Sequence, residues 1–275
     1  MSTSRSSDAL SVLLRRNVVA GAGVGVLAGF LSGVFGVGGG ILIVPGLVLL
    51  MRMRQRLAHG TSLAAIVLIA VSAVLGYAFD HAVDWSAGGF IIVGAIAGAV
   101  AGTRALRSIR ENVLRVAFAV LLLATALRLL VSTPETTGRG PIGIWLALGL
   151  VGIGLAAGAL AGLLGVGGGI VIIPALIVLF SVPDAVAKGT SLFVIIPTAL
   201  AGTIQNLRNR NVDVEVAGAV GVVGAAVAFA GSKLALNMSA HLSSILFSGL
   251  LFAVAVQMLV TGRGAQRDGD GPRDA

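Results

Sequence analysis

Apolar runs of about twenty residues, each long enough to cross a bilayer as helix, alternate with short arginine-bearing stretches along almost the whole chain. Residues 1–16 are polar and are expected to be a disordered tail. A first apolar leg covers 17–35, a glycine stretch follows, and a short apolar leg over 41–51 ends at Arg52, Arg54 and Arg56. Further runs predict helices over 59–79, 86–103 and 112–131. A turn-rich linker at 132–141 separates a second half, 142–261, with the same pattern. The end, 262–275, is polar and is again expected to be disordered.

The stretch that organises this pattern is Gly33-Val34-Phe35-Gly36-Val37-Gly38-Gly39-Gly40-Ile41, running on to Pro45. It returns as Gly162-Leu163-Leu164-Gly165-Val166-Gly167-Gly168-Gly169-Ile170, running on to Pro174, at an offset of 162 − 33 = 129 residues. His59-Gly60-Thr61-Ser62-Leu63 returns at the same offset as Lys188-Gly189-Thr190-Ser191-Leu192, since 188 − 59 is also 129. Asp84 and Asp213 correspond in the same way. The chain is therefore an internal duplication, with halves 17–131 and 142–261. Consecutive glycines are poor material for a helix interior, so each half is expected to begin with a helix unit broken at its glycines. Gly25, Gly29 and Gly33, like Gly154, Gly158 and Gly162 and like Gly94, Gly98 and Gly102, stand four apart, the spacing that lets helices approach closely.

Composition agrees. Hydrophobic residues make up 57% of the chain and charged residues 11%, against about a quarter charged in soluble domains, and the mean hydropathy is +1.03. Residues 142–180 carry no charge at all. The fold class this predicts is an all-helical polytopic membrane protein of two repeats, with the lipid bilayer as its main partner. The net charge of +8 does not point to nucleic acid, because the arginines lie in short clusters between apolar runs, where they report topology. There is no cysteine, which excludes disulfides and thiolate chemistry. No HExxH or GxSxG motif is present, the three histidines are scattered, and no Lys-Ser or Lys-Thr follows the glycines to make a nucleotide loop. No metal or cofactor is expected. No paired ionisable groups are read within the spans, so an enzyme is not expected either.

The basic residues choose between two topologies. If each broken unit enters and leaves on one side, three further crossings per half invert the halves. Arg5, Arg15, Arg16, Arg52, Arg54, Arg56, Arg104, Arg107, Arg110, Arg115, Arg208, Arg210, Arg263, Arg267 and Arg273 then share one side, and Arg128, Arg139, Lys188 and Lys233 the other, a division of 15 to 4. If each unit crosses once, the halves are parallel and the division is 10 to 9. Positive charge gathers on the cytoplasmic side, which favours inverted repeats with both termini cytoplasmic.

Candidate chemistry follows from the breaks. Irregular backbone at membrane depth must be buried in protein or line a watery cavity. Helices starting after the glycines would present free N–H groups and a positive dipole end, a setting that suits an anion. The candidate binding residues are Gly38, Gly39, Gly40, Gly167, Gly168 and Gly169, whose competing role is tight packing. Thr61, Ser62, Thr190 and Ser191 could line the site or cap and join helices. His59 and Lys188 could attract the anion or snorkel to the headgroups.

These motifs, two glycine breaks each followed by a proline and by [His/Lys]-Gly-Thr-Ser-Leu, resemble those of the TauE/SafE sulfite exporter family of membrane transporters over most of residues 17–260. The resemblance implies a plasma-membrane permease of two repeats for sulfite, sulfonates or related organosulfur anions. The reading that follows is a secondary transporter of a small anion working by alternating access. The rival readings are an anion channel and a non-transporting membrane subunit.

Overall fold

A computed structural model describes residues 3–105, 111–131, 140, 142–164 and 168–267. Ten helices lie among them: α1 (Thr3–Phe35), α2 (Gly40–Met51), α3 (Gln55–Ala78), α4 (Trp85–Ala105), α5 (Glu111–Val131), α6 (Ile144–Leu164), α7 (Gly169–Phe180), α8 (Asp184–Arg208), α9 (Val214–Asn237) and α10 (Ala240–Arg267). The described residues contain no strand. The duplication is visible to the residue: α2, α3, α4 and α5 start 129 positions before α7, α8, α9 and α10 (for example 169 − 40 = 129).

Two expectations change at the ends. Helix α1 starts at Thr3 and α10 runs to Arg267, so residues 3–16 and 262–267 are helical, where disorder was expected. A helix already nucleated gains one hydrogen bond for each residue it adds, so a long apolar helix carries polar residues at its end cheaply. The linker expected at 132–141 lies outside the described residues except for position 140.

The halves interlock instead of standing side by side. α1 packs along α9, and its counterpart α6 packs along α4. The four-residue glycine spacing explains both seams. A Cβ on Gly25, Gly29 or Gly33 would lie 2.6, 2.2 or 2.3 Å from the carbonyl oxygens of Val220, Gly224 and Ala228. A Cβ on Gly94 or Gly98 would lie 2.0 or 2.1 Å from those of Val151 and Leu155, and one on Gly154 or Gly158 would lie 2.0 Å from those of Ile91 and Ala95. Only hydrogen fits, and backbone meets backbone, as in membrane helices joined by small residues.

At the centre α3 and α8 lie against each other, start of one against end of the other. Gly60, near the start of α3, would place a Cβ 2.0 Å from Asn211 O, just past the end of α8. Gly189, near the start of α8, would place one 2.1 Å from Ala82 O, just past the end of α3. α5 packs on α10, its counterpart. Two buried apolar clusters result. One joins Ile43, Ile66 and Ile69 to Ile195 and Val220; the other joins Ile91 and Leu122 to Leu150, Ile172 and Phe247. Each draws on both halves.

The outside is as apolar as the inside: Leu49, Val93, Trp145, Leu148, Val222 and Phe252 are all more than half exposed, which lipid can cover and water cannot. Gln55–Ala78, Asp184–Arg208 and Val214–Asn237 are each long and apolar enough to cross a bilayer, and shorter apolar helices such as Val19–Phe35, Trp85–Ala99, Ile144–Ala159 and His241–Gln257 accompany them.

Candidate functional site

The first break falls between Phe35 and Gly40. Gly36, Gly38 and Gly39 have φ of 72°, 77° and 73°, a left-handed conformation that a residue with a Cβ adopts only at a cost. Residues 36–40 are all buried. Gly39 also lies close to backbone, where a Cβ would stand 2.9 Å from Ala28 O. It precedes α2 as N-cap with no side chain accepting from the free amides of the first turn, and Gly168 precedes α7 in the same way. The second break is not a copy of the first, because Gly168 is right-handed, with φ −70°. Gly167 lies outside the described residues.

The two breaks meet. A Cβ on Gly169 would be 3.0 Å from Val37 Cα, 2.9 Å from Ser191 Oγ and 2.9 Å from Ile195 Cδ1, and a Cβ on Gly38 would be 3.1 Å from that same Ile195 Cδ1. Ser191 donates to Gly36 O at 3.1 Å. Both breaks thus converge on one stretch of α8, Ser191 to Ile195. Ser62, the counterpart of Ser191, is fully buried, and its hydroxyl has no partner, like those of Ser32 and Ser248.

Thr61 and Thr190 are placed differently. Thr190 Oγ1 accepts from the amide of Asp84 at 2.9 Å, and Thr61 Oγ1 accepts from the amide of Asp213 at 3.0 Å. The carboxylate of Asp84 then accepts from the Ala87 amide at 2.9 Å, capping α4, and that of Asp213 accepts from the Val216 amide at 3.1 Å, capping α9. Together with Gly60 and Gly189, each Gly-Thr pair is a clasp: the glycine admits a loop from the other half and the threonine hydroxyl holds it. Neither threonine caps its own helix.

Lys188 does not snorkel. It is 1% exposed, with its ammonium 2.7 Å from Asp184 Oδ2 and donating to Ser243 Oγ at 2.6 Å. Phe35 and Phe247 stand 6.0 and 5.6 Å from the ammonium, ring centroid to Nζ. A Cβ on Gly36 would lie 2.8 Å from Lys188 Cα, so the lysine belongs to the wall of the first break. The sequence reading of spans without paired ionisable groups is therefore corrected: Asp184 and Lys188, four apart on α8, form such a pair. Their spacing was the available signal; the part played by Ser243 on α10 had none. His59, the counterpart of Lys188, is partly buried near the start of α3. Another unforeseen contact is Tyr77, fully buried, whose hydroxyl donates to Gly33 O at 2.8 Å beside the break. Among the described residues no group of three metal-ligating side chains gathers.

A helical membrane protein with two interlocked repeats and paired buried helix breaks has the form of a transporter. The comparisons agree on the class. The family described as Sulfite exporter TauE/SafE matches residues 5–129 and again 150–274. A probable membrane transporter protein of Xylella fastidiosa is 30% identical over 244 residues, covering 86% of this chain and 93% of its own. The probable membrane transporter protein YunE of Bacillus subtilis is 27% identical over 213 residues, 69% of this chain and 78% of its own. A probable membrane transporter protein of Haemophilus influenzae is 34% identical over 163 residues, 55% of this chain and 59% of its own. No solved structure matches. The chain belongs to the sulfite exporter TauE/SafE family of membrane transporters.

Proposed function

We propose that this chain is a secondary transporter of a small anion, a sulfur oxyanion or an organic sulfonate, which it binds between the two helix breaks and passes across the plasma membrane by alternating access. The observation that carries the reading is the meeting of two uncapped helix N-termini, at Gly39 and Gly168, within one buried region. Each brings free backbone amides and the positive end of a dipole, and left-handed glycines keep side chains out of the way. The neighbouring polar groups are one hydroxyl, Ser191, and one cation, Lys188; the carboxylate beside that cation, Asp184, is already taken by it. Such a lining favours negative charge. The narrowing from anion to sulfur anion rests on the family.

Alternating access is supported by the burial of residues 36–40, which leaves the first break covered by protein on every side. An inverted arrangement of the halves is supported by the antiparallel contact of α3 with α8 and by the reciprocal Thr61–Asp213 and Thr190–Asp84 clasps. The exposed Lys233–Asp80 ion pair joins the end of α9 to the turn after α3, two places that this topology puts outside together. With both termini cytoplasmic, the site lies near mid-membrane, as in other inverted-repeat carriers. The test is a stabilisation screen of the purified protein against sulfite, sulfate, a sulfonate, chloride and an uncharged amino acid. Stabilisation by the sulfur anions alone is expected; stabilisation by the amino acid alone would overturn the reading.

A further inference from the structure

A lysine shut away from water inside membrane helices is costly unless something neutralises it. Lys188 is neutralised by a closed set of three groups. Its ammonium reaches Asp184 Oδ2 at 2.7 Å and Ser243 Oγ at 2.6 Å, and the Ser243 hydroxyl donates to the same Asp184 oxygen at 2.7 Å. The two charges differ in access. The lysine side chain is 1% exposed and the aspartate side chain 25%, so the aspartate can be reached from outside the protein and the ammonium cannot. The candidate anion site begins beside the lysine: Lys188 backs onto Gly36, and Ser191, one turn along α8, donates to Gly36 O.

The fold itself does not require this pair. The counterparts in the first half are Gln55 (184 − 129) and His59 (188 − 129), and the first half builds the same helices without an Asp–Lys pair. Neutral groups often replace a buried ion pair without loss of stability, so a charged set kept in one half alone points to a use for the charge.

We propose that Asp184, Lys188 and Ser243 form a proton-linked gate on the anion site, so that the anion binds together with a proton. This rests on the anion reading above. With Asp184 ionised, it holds the ammonium. When Asp184 takes one proton from solution, Lys188 loses its counter-charge and turns to the anion between the breaks. The buried charge is zero before, as carboxylate plus ammonium, and zero after, as carboxylic acid plus ammonium plus a monovalent anion. The gate therefore suits a singly charged anion such as a sulfonate better than a doubly charged one.

Other titratable groups face this end of α8. Tyr77 on α3 lies within electrostatic reach of Asp184 and donates its hydroxyl to Gly33 O. Asp84, whose amide meets Thr190, has its carboxylate on the Ala87 amide. His241, two residues before Ser243, is exposed. α7 carries no charged residue, and neither does α1 between residue 17 and Phe35.

The experiment measures binding of methanesulfonate, singly charged throughout, to the purified full chain from about pH 5 to about pH 8. In wild type the affinity should fall as the pH rises, by up to about tenfold per pH unit, with about one proton taken up per anion in weakly buffered solution. Asp184→Asn should bind at every pH as wild type does in acid, with no proton uptake, and His241→Gln should keep the wild-type profile. The double variant Asp184→Asn/Lys188→Gln carries no buried charge and decides the matter if the single variant fails to fold: it should show no pH slope and weaker binding. A wild-type slope retained in either Asp184 variant, or lost in His241→Gln, would overturn the gate and leave the anion site standing. Failure of wild type to bind methanesulfonate, sulfate or sulfite at any pH would overturn both.

Discussion

If Thr61 and Thr190 are clasps and not ligands, valine in their place should cost stability and spare binding. Valine matches threonine in shape but offers no acceptor. Thr190→Val leaves the Asp84 amide without its 2.9 Å bond, and Thr61→Val leaves the Asp213 amide without its 3.0 Å bond. Both threonines are fully buried, while the amides they hold are partly buried. A buried donor left without a partner costs about 1–3 kcal/mol, and partial burial puts each variant in the lower half of that range, about 1–2 kcal/mol. The two clasps sit at opposite ends of α3 and α8 and share no partner, so the double variant should cost the sum of the two within about 0.5 kcal/mol. The assay is reversible unfolding of purified protein in mixed micelles of mild and denaturing detergent, with anion binding measured on the same preparations. Unchanged stability with lost binding would show that the hydroxyls serve the substrate, and the clasp argument would be wrong.

Other consequences are as direct. Gly29→Ala and Gly98→Ala should lose folded protein, because the new Cβ would stand 2.2 Å from Gly224 O and 2.1 Å from Leu155 O, whereas Gly23→Ala, with nothing within 4 Å, should be neutral or slightly stabilising in a thermal melt. At the breaks, Gly39→Val should fail to fold, since it adds a branched side chain at φ 73° against Ala28 O; Gly168→Ala, at φ −70° and 3.1 Å from Ala157 Cβ, should fold and weaken anion binding. Lys188→Gln should cost about 1–3 kcal/mol, because Asp184 loses its counter-charge but keeps the Ser243 hydroxyl and its partial exposure, while Lys233→Gln, whose pair with Asp80 is exposed, should cost less than about 1 kcal/mol in the same unfolding assay. In intact cells an impermeant thiol reagent should label Lys233→Cys and not Arg208→Cys; the reverse pattern would exclude the inverted topology.

The large-scale plan was legible because the signals were local or repeated. A 129-residue offset needs no structure to be seen, four-residue glycine spacing implies close helix contact, and triple glycines mark a break. What stayed hidden depended on which helices meet. Thr61 and Thr190 read equally well as caps or as lining, since nothing local says that each faces a loop more than a hundred residues away. Lys188 read equally as a cation drawing the anion or as one snorkelling to the headgroups, because its burial is produced by α10 and by Phe35, neither of which is near it in the chain. The Asp184 spacing was visible, but an aspartate just after a turn reads as a helix cap until Ser243 is seen to close the set. Even the near-symmetry misled: equivalent glycines suggested equivalent breaks, yet Gly39 is left-handed and Gly168 is not.

The central claim is that the two breaks form one anion site serving a carrier. Counterflow in proteoliposomes reconstituted with the full chain tests it most directly: vesicles loaded with unlabelled sulfite or a sulfonate are diluted into the labelled anion, with no other gradient. A transient, saturable accumulation of label that Gly168→Ala diminishes and an uncharged amino acid does not compete away is the predicted result. Label that equilibrates without overshoot, or an overshoot seen with the amino acid and not with any sulfur anion, would contradict the account.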